Sequence, residues 1–470
     1  MSDSESRFAA LRRSPVSPAA IAALEAWVRE APDAALHRSN VFDFAAAQKL
    51  PENDALDLFL HAARLGLFDL SWNLLCPGCG GVIESGDSLK TVDRSHYNCS
   101  LCAAAYETTL DELVEVSFTV SPTLRRIAAH DPASLPLWQY YRQMYFSNCL
   151  MMPTGAEWDA LAGELTLERE ELKAGERIIL ATTLPAQFLI LFEPVTHAAV
   201  FLDVKGEAVK ERRDLSFMFA TGNPPAGRIE IAPGPVRIML ENKTAGRLLP
   251  ALFIANDRLH DLFARRPFVT GKRLLTHQTF RDLFRADALG ADQRLKVTSL
   301  TILFTDLKGS TALYERVGDL AAYALVQAHF SVLMEAVKQS GGAVVKTIGD
   351  AVMASFPTPV QGLEAALRMR REMDTLNALR KHEDLIVKIG LHEGPCLAVV
   401  SNERLDYFSQ AVNIAARVQG LAQERAIFVT EPVIQGTGAG ALLRAENLIP
   451  VARRTLLRVI KDELTVYEIP

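Results

Sequence analysis

Two aspartates stand where carboxylates can grip a metal. Asp306 follows an apolar run, 300–304, and a Lys308-Gly309-Ser310-Thr311 turn then opens an amphipathic stretch. Asp350, 44 residues later, lies in a Gly349-Asp350 turn between two further apolar runs. Paired carboxylates are hard oxygen donors suited to Mg²⁺ or Mn²⁺, ions that keep coordination positions for phosphate oxygens. The backbone N–H groups of Leu307, Lys308, Gly309, Ser310 and Thr311, at a helix start, would offer donors and the positive dipole end to the β- and γ-phosphates. Singly, the pieces also read as a helix cap and a hairpin turn. In this order and spacing they imply a grip on a metal-bound triphosphate.

Further on, 405–418 reads as a short approach followed by a helix. Asn413 and Arg417 are four apart and share one face, while Val412, Ile414, Ala415 and Val418 lie mostly on others. An amide and a cation thus point into one space, or else form an ordinary surface pair that adds little stability.

Residues 297–470 resemble the catalytic domain of class III adenylate and guanylate cyclases. The resemblance is carried by 304–311, by 345–354, by the Ile389-Gly390-Leu391-His392-Glu393-Gly394 segment, read as a hairpin, and by 406–417. It implies that Asp306 and Asp350 hold two Mg²⁺ or Mn²⁺ ions and that Lys346 and Asp406 read the purine. Asn413 would orient the ribose, and Arg417 would meet charge on the α-phosphate. The implied reaction is attack of the ribose 3′-oxygen on the α-phosphorus, with loss of pyrophosphate. Lys only donates and ionised Asp only accepts, which suits N1 and the exocyclic amine of adenine and mismatches guanine. ATP is therefore the expected substrate. A guanylate cyclase, or a catalytically silent nucleotide-binding regulator on the same fold, is the alternative. Two departures from the family pattern are Ser409, in place of a glycine, and Arg458, in place of the triphosphate-binding lysine, with Val459 after it. Ser409 gives up backbone freedom, and Arg458 can still bind phosphate bidentately. The resemblance also implies a head-to-tail homodimer with shared sites, since each motif occurs once.

Cysteines give a second pattern. Cys76-Pro77-Gly78-Cys79 and Cys99-Ser100-Leu101-Cys102 make two CxxC knuckles separated by nineteen residues. Four thiolates so spaced suit one structural Zn²⁺ in a ribbon, in preference to redox dithiols. His96 is then superfluous, and Cys149 and Cys396 read as buried thiols.

The elements that must position these groups follow from periodicity. Tyr323, Val326, Phe330, Leu333 and Val337 recur at helical steps that end at Gly341-Gly342. Strands are expected at 344–348, 351–356, 385–391, 396–400 and 426–430, and a helix at about 360–379. Ahead of this region, 18–29 and 53–65 read as helices, and seven short strands recur between 178 and 255. A helical connector is expected at 273–286. The expected fold class is multidomain α+β. It comprises an N-terminal helical segment (1–70), a zinc ribbon (71–110), a β-rich, sandwich-like regulatory region (111–270), a helical linker (271–296) and a C-terminal α/β sandwich of the class III cyclase type (297–470).

Composition bounds partners. The chain of 470 residues is 49% hydrophobic and 23% charged, enough for more than one core. Its 50 basic and 56 acidic side chains give −6, which argues against a nucleic-acid partner. No signal peptide is evident, and the uncharged run 178–192 is too short and proline-interrupted to span a bilayer. The expectation is a cytoplasmic protein without membrane insertion.

Overall fold

The computed structural model describes residues 3–91, 96–152, 157–222, 224–256, 264–284, 294–380, 385–402, 404–422, 425–455 and 464–470. These fall into two compact units: Met1–Asp87 with Arg94–Thr108 and Leu113–Val269, and Ser88–Asp93 with Thr109–Glu112 and Thr270–Pro470.

The first unit opens with helices Asp3–Leu11, Pro18–Glu30, Val41–Gln48 and Glu52–Arg64. Trp27, Phe44, Phe59 and Phe68 interlock there, mostly edge to face, as ring quadrupoles prefer. A ribbon of two strands, His96–Cys99 and Ala104–Glu107, carries the second CxxC knuckle. The seven strands expected beyond it are present, from Arg177–Leu184 to Ala251–Ile254. Joined by an eighth strand, Thr166–Arg169, they form a three-stranded and a five-stranded sheet that bury Leu191, Val200, Phe219, Ile238 and Leu240 between them. Two of the pairings are parallel, Arg213–Phe219 with Gly234–Asn242 and Ala226–Ile231 with Ala198–Val204. Parallel neighbours need a crossover, which strand spacing along a sequence does not reveal.

The second unit begins with α1 (Gly271–Leu275) and α2 (Gln278–Leu283), where a single connector helix was expected. Its sheet takes β1 (Leu295–Leu307), β2 (Ala343–Ile348), β3 (Ala351–Phe356), β4 (Val387–Ser401), β5 (Arg404–Phe408), β6 (Ile427–Thr430), β7 (Val451–Thr455) and β8 (Leu464–Ile469). The order is β2-β3-β1-β4-β6-β8-β7, with β5 added along the end of β4, and among the described residues only β4 and β6 run parallel. Helices α3 (Ser310–Val317), α4 (Asp319–Gln339) and α5 (Pro359–Arg380) follow β1 and β3, and α6 (Gln410–Leu421) follows β5. Residue alternation along β6 sorts the two faces. Ile427 and Val429 enter the large core with Leu333, Val337, Leu363 and Met369, while Phe428 packs with Ile414 and Val418 of α6.

The segment 389–394 was expected as a hairpin and is instead the interior of the continuous strand β4. The glycines have a different use. A Cβ on Gly390 would come within 2.1 Å of the Gln419 backbone nitrogen, and one on Gly394 within 3.0 Å of the Ala411 Cβ. Their absent side chains let α6 lie directly on the strand.

Of the α4 stripe, Val326, Leu333 and Val337 are buried, but Tyr323 is 59% exposed. By length and composition α4 could cross a membrane, with a mean hydropathy of 1.4, and its inner face is packed into the core.

Candidate active site

β1 and the β2–β3 turn bring the two aspartates to one edge. Phe304 pairs with Met353, and continuing that antiparallel register by two residues sets Asp306 opposite Ala351, next to Asp350. Thr305 Oγ1 accepts from the Val352 amide at 3.0 Å, fixing the two strands at this level. The Gly349 backbone, at φ +62°, makes the tight turn that presents Asp350.

Charge is crowded here. Burial, and then the neighbouring Asp350 charge, raise the Asp306 pKa, against the opposing pull of Lys388. Lys388 is its cross-strand partner, with Nζ 3.9 Å from Asp306 Oδ2. Asp350 Oδ2 is buried with no hydrogen-bond partner among the described residues. Two repelling carboxylates, one with an orphaned oxygen, fit a divalent cation, which would relieve both conditions. His329 of α4 is fully buried, and its Nε2 donates to the Asp350 carbonyl at 3.3 Å. Burial lowers the His329 pKa, so it is a neutral prop for the turn. Neither Lys388 nor His329 was singled out from sequence. A histidine inside an apolar helical stripe was the available signal for the second.

The amide row after Asp306 is only partly available. Leu307 is still in the β1–β4 ladder opposite Val387, and the Lys308 amide donates to the Ile386 carbonyl at 2.8 Å. The expectation of five phosphate-facing amides is thereby corrected for Lys308. Gly309, at φ +70°, turns the chain into α3, and Ser310 and Thr311 form its first turn. Arg458 lies outside the described residues.

Lys346 on β2 and Asp406 on β5 meet directly, Nζ to Oδ2 at 2.5 Å. Asp406 Oδ1 also accepts from the Tyr407 amide at 2.8 Å.

Asn413 and Arg417 project from the side of α6 opposite its buried Ala411, Ile414, Ala415 and Val418. Asn413 is exposed, and Arg417 Nη1 is buried without a partner among the described residues. Ser409 proves to be the N-cap of this helix: its φ of −176° is ordinary extended backbone, and its hydroxyl accepts from the Val412 amide at 3.3 Å. The backbone freedom of a glycine is not required here, so that expected loss does not arise. Among the described residues, no hydrogen bond or ion pair joins Asn413 or Arg417 to the aspartates or to Lys346. One chain therefore presents three groups: two carboxylates, a Lys–Asp pair, and an Asn–Arg pair.

The four cysteines converge. Cys76 Sγ lies 3.5 Å from Cys102 Sγ, and Cys79 Sγ 3.7 Å from Cys99 Sγ, with all four within 4.8 Å of one another. A tetrahedral ion with metal–sulfur bonds of about 2.3 Å spaces sulfurs by about 3.8 Å, so the cluster fits one. His96 is exposed, and Cys149 and Cys396 are buried thiols.

Comparison with known proteins adds relatives. A family described as "Family of unknown function (DUF5939)" matches residues 1–282, and the adenylate and guanylate cyclase catalytic domain matches 293–452. An adenylate cyclase of Anabaena cylindrica is 30% identical over 151 residues, 29% of this chain and 30% of that protein. Adenylate cyclase 2 of Rhizobium meliloti is 28% identical over 225 residues, 45% of this chain and 60% of that one. The chain thus spans less than two thirds of the length of each of these relatives. Among solved structures, the adenylyl cyclase CyaB from P. aeruginosa is 19% identical, with TM-score 0.34 over 38% of this chain and 96% of that one. The guanylate cyclase domain of RhGC from Catenaria anguillulae, in complex with GTP, is 19% identical, with TM-score 0.33 over 37% and 97%.

Proposed function

The chain belongs to the DUF5939 family and carries a class III nucleotide cyclase catalytic domain, and from that premise we propose that it is an adenylate cyclase acting as a homodimer. The ribose 3′-oxygen of ATP attacks its own α-phosphorus, the bond to the bridging oxygen breaks, and 3′,5′-cyclic AMP and pyrophosphate leave. Asp306 and Asp350 are the ligands for two Mg²⁺ or Mn²⁺ ions, which when bound acidify the 3′-hydroxyl and steady the departing pyrophosphate.

The observation that carries the choice of ATP is the Lys346–Asp406 contact at 2.5 Å. The contact uses one of three ammonium protons, leaving Lys346 donors for adenine N1 and Asp406 lone pairs for the exocyclic amine. Guanine would meet each with the wrong polarity. Asn413 holds the ribose, and the Arg417 guanidinium, whose Nη1 has no partner among the described residues, stabilises charge developing on the α-phosphate. The Gly309–Thr311 turn and Arg458 serve the triphosphate.

In this reading the aspartates of one copy and Asn413 and Arg417 of the other complete each site, in keeping with the lack of a bond between these groups among the described residues. Exposed apolar side chains beside the base readers support a partner surface: Phe408 is 73% exposed and Ile348 52%. The cysteine cluster holds structural Zn²⁺, and residues ahead of the catalytic domain regulate it. A cytoplasmic location is part of this reading, since ATP is supplied there.

The test is purified protein with ATP or GTP and Mg²⁺ or Mn²⁺, scored for cyclic product. Cyclic AMP exceeding cyclic GMP at least tenfold, with none from Asp306→Ala, is the expected outcome. Equal use of both nucleotides would overturn the substrate assignment.

A further inference from the structure

The base-reading pair is held by residues that lie ahead of the matched cyclase segment. That segment begins at 293, yet α2 at Gln278–Leu283 belongs to the same compact unit and packs on β2 and β5. Gln278 and Arg281, three apart, share one face of it.

Arg281 grips the backbone around Asp406. Its Nη2 donates to the Leu405 carbonyl at 2.6 Å, and its Nη1 to the Leu275 carbonyl at 3.4 Å. The guanidinium carbon stands 5.9 Å from the centre of the Tyr407 ring, within cation–π range. Tyr407 is buried, and its hydroxyl donates to the Leu275 carbonyl at 3.3 Å. Both residues flanking Asp406 are therefore tied to the α1–α2 corner.

Gln278 acts on the other base reader. The β2–β3 register slips between Val344 and Lys346, a bulge that sets which way the Lys346 side chain leaves the strand. The Val344 amide at that bulge donates to Gln278 Oε1 at 2.8 Å. One short helix thus fixes the strand positions of the donor and of the acceptor, and a cavity of about 210 Å³ lined by Gln278, Arg281, Lys346 and Leu405 opens beside them.

We propose that Arg281, with Gln278, is a positioning residue for purine selection: the tail of the DUF5939 segment sets the spacing of Lys346 and Asp406 and so the preference for adenine over guanine. The inference rests on the adenylate cyclase reading for its substrate and on the contacts above for its residues. Neither residue touches the nucleotide in this account.

The experiment uses the full chain and two readouts. Binding of 3′-deoxy-ATP and 3′-deoxy-GTP is measured by equilibrium dialysis with Mn²⁺, and kcat and KM are measured for ATP and GTP. Arg281→Ala should raise KM for ATP about tenfold and cut the ATP-over-GTP binding ratio by a similar factor, with kcat within about twofold. Arg281→Lys, which keeps the charge and a donor, should recover part of the ratio. Leu443→Ala, a core truncation in the same unit, supplies a destabilised control whose ratio stays that of the parent. An unchanged ratio in Arg281→Ala, or an equal change in the control, overturns the inference while leaving the cyclase reading intact. A parent chain that prefers the adenine nucleotide in dialysis but forms no cyclic product overturns the cyclase reading alone, and the variant's binding ratio still decides the role of Arg281. Absence of any nucleotide binding overturns both.

Discussion

Asp306 is ionised only against resistance from its surroundings, which makes protons and metal compete for one carboxylate. Burial and Asp350 raise its pKa, so ionisation costs the folded state stability. That cost is full above the folded pKa and fades as pH falls through it towards the unfolded value. Asp306→Asn should therefore melt above the metal-free parent at neutral pH, and calorimetry should find the gap closing on acidification. Added Mn²⁺ should raise the parent's Tm and leave the variant's unmoved. A variant that melts below the parent at every pH, with Mn²⁺ stabilising both, would contradict the metal assignment. At Ser409 a cap deletion, Ser409→Ala, should cost about 1 kcal/mol in chemical denaturation and Ser409→Gly only a few tenths. At this scale the carboxylates, Lys346, Asp406, Asn413 and Arg417 were legible because their types and spacing form a known pattern. His329, Lys388 and Arg281 were not, because each acts through contacts across 21, 82 and 124 residues of chain that only the folded strands bring together.

Among the elements, β4 and α6 show how packing overrode a local reading. Two glycines within six residues suggest a turn by composition, yet Gly390 and Gly394 are strand positions emptied to admit a helix. Gly390→Ala would drive a methyl group into the α6 backbone at Gln419, where no side chain can swing away. It should destabilise the protein by about 1–3 kcal/mol and displace Asn413 and Arg417, lowering kcat more than it raises KM for ATP. Unchanged kcat with full stability would show that α6 does not depend on that close approach. The Gly349-Asp350 hairpin and the α5 helix were readable in advance because turn chemistry and a 3.6-residue period are local signals. The parallel pairings in the first unit were not, since they join strands through long connections.

For the whole molecule, the two CxxC knuckles and the catalytic motifs are separate commitments that can be broken separately. Cys79→Ser should lose one equivalent of zinc by elemental analysis and lower Tm, because metal binding to a preformed cluster is also folding free energy. Retention of a full zinc equivalent would mean that the thiols hold no ion together. The catalytic proposal makes a sharper demand, since Asp306 and Arg417 of one site are assigned to different copies of the chain. The most direct measurement is cyclic AMP formation by a mixture of Asp306→Ala and Arg417→Ala chains, each inactive alone, after exchange of subunits. Random pairing gives half heterodimers with one intact site in two, so activity should return to about a quarter of the parent's. Verified heterodimers that form no cyclic AMP would contradict the shared site and the account built on it.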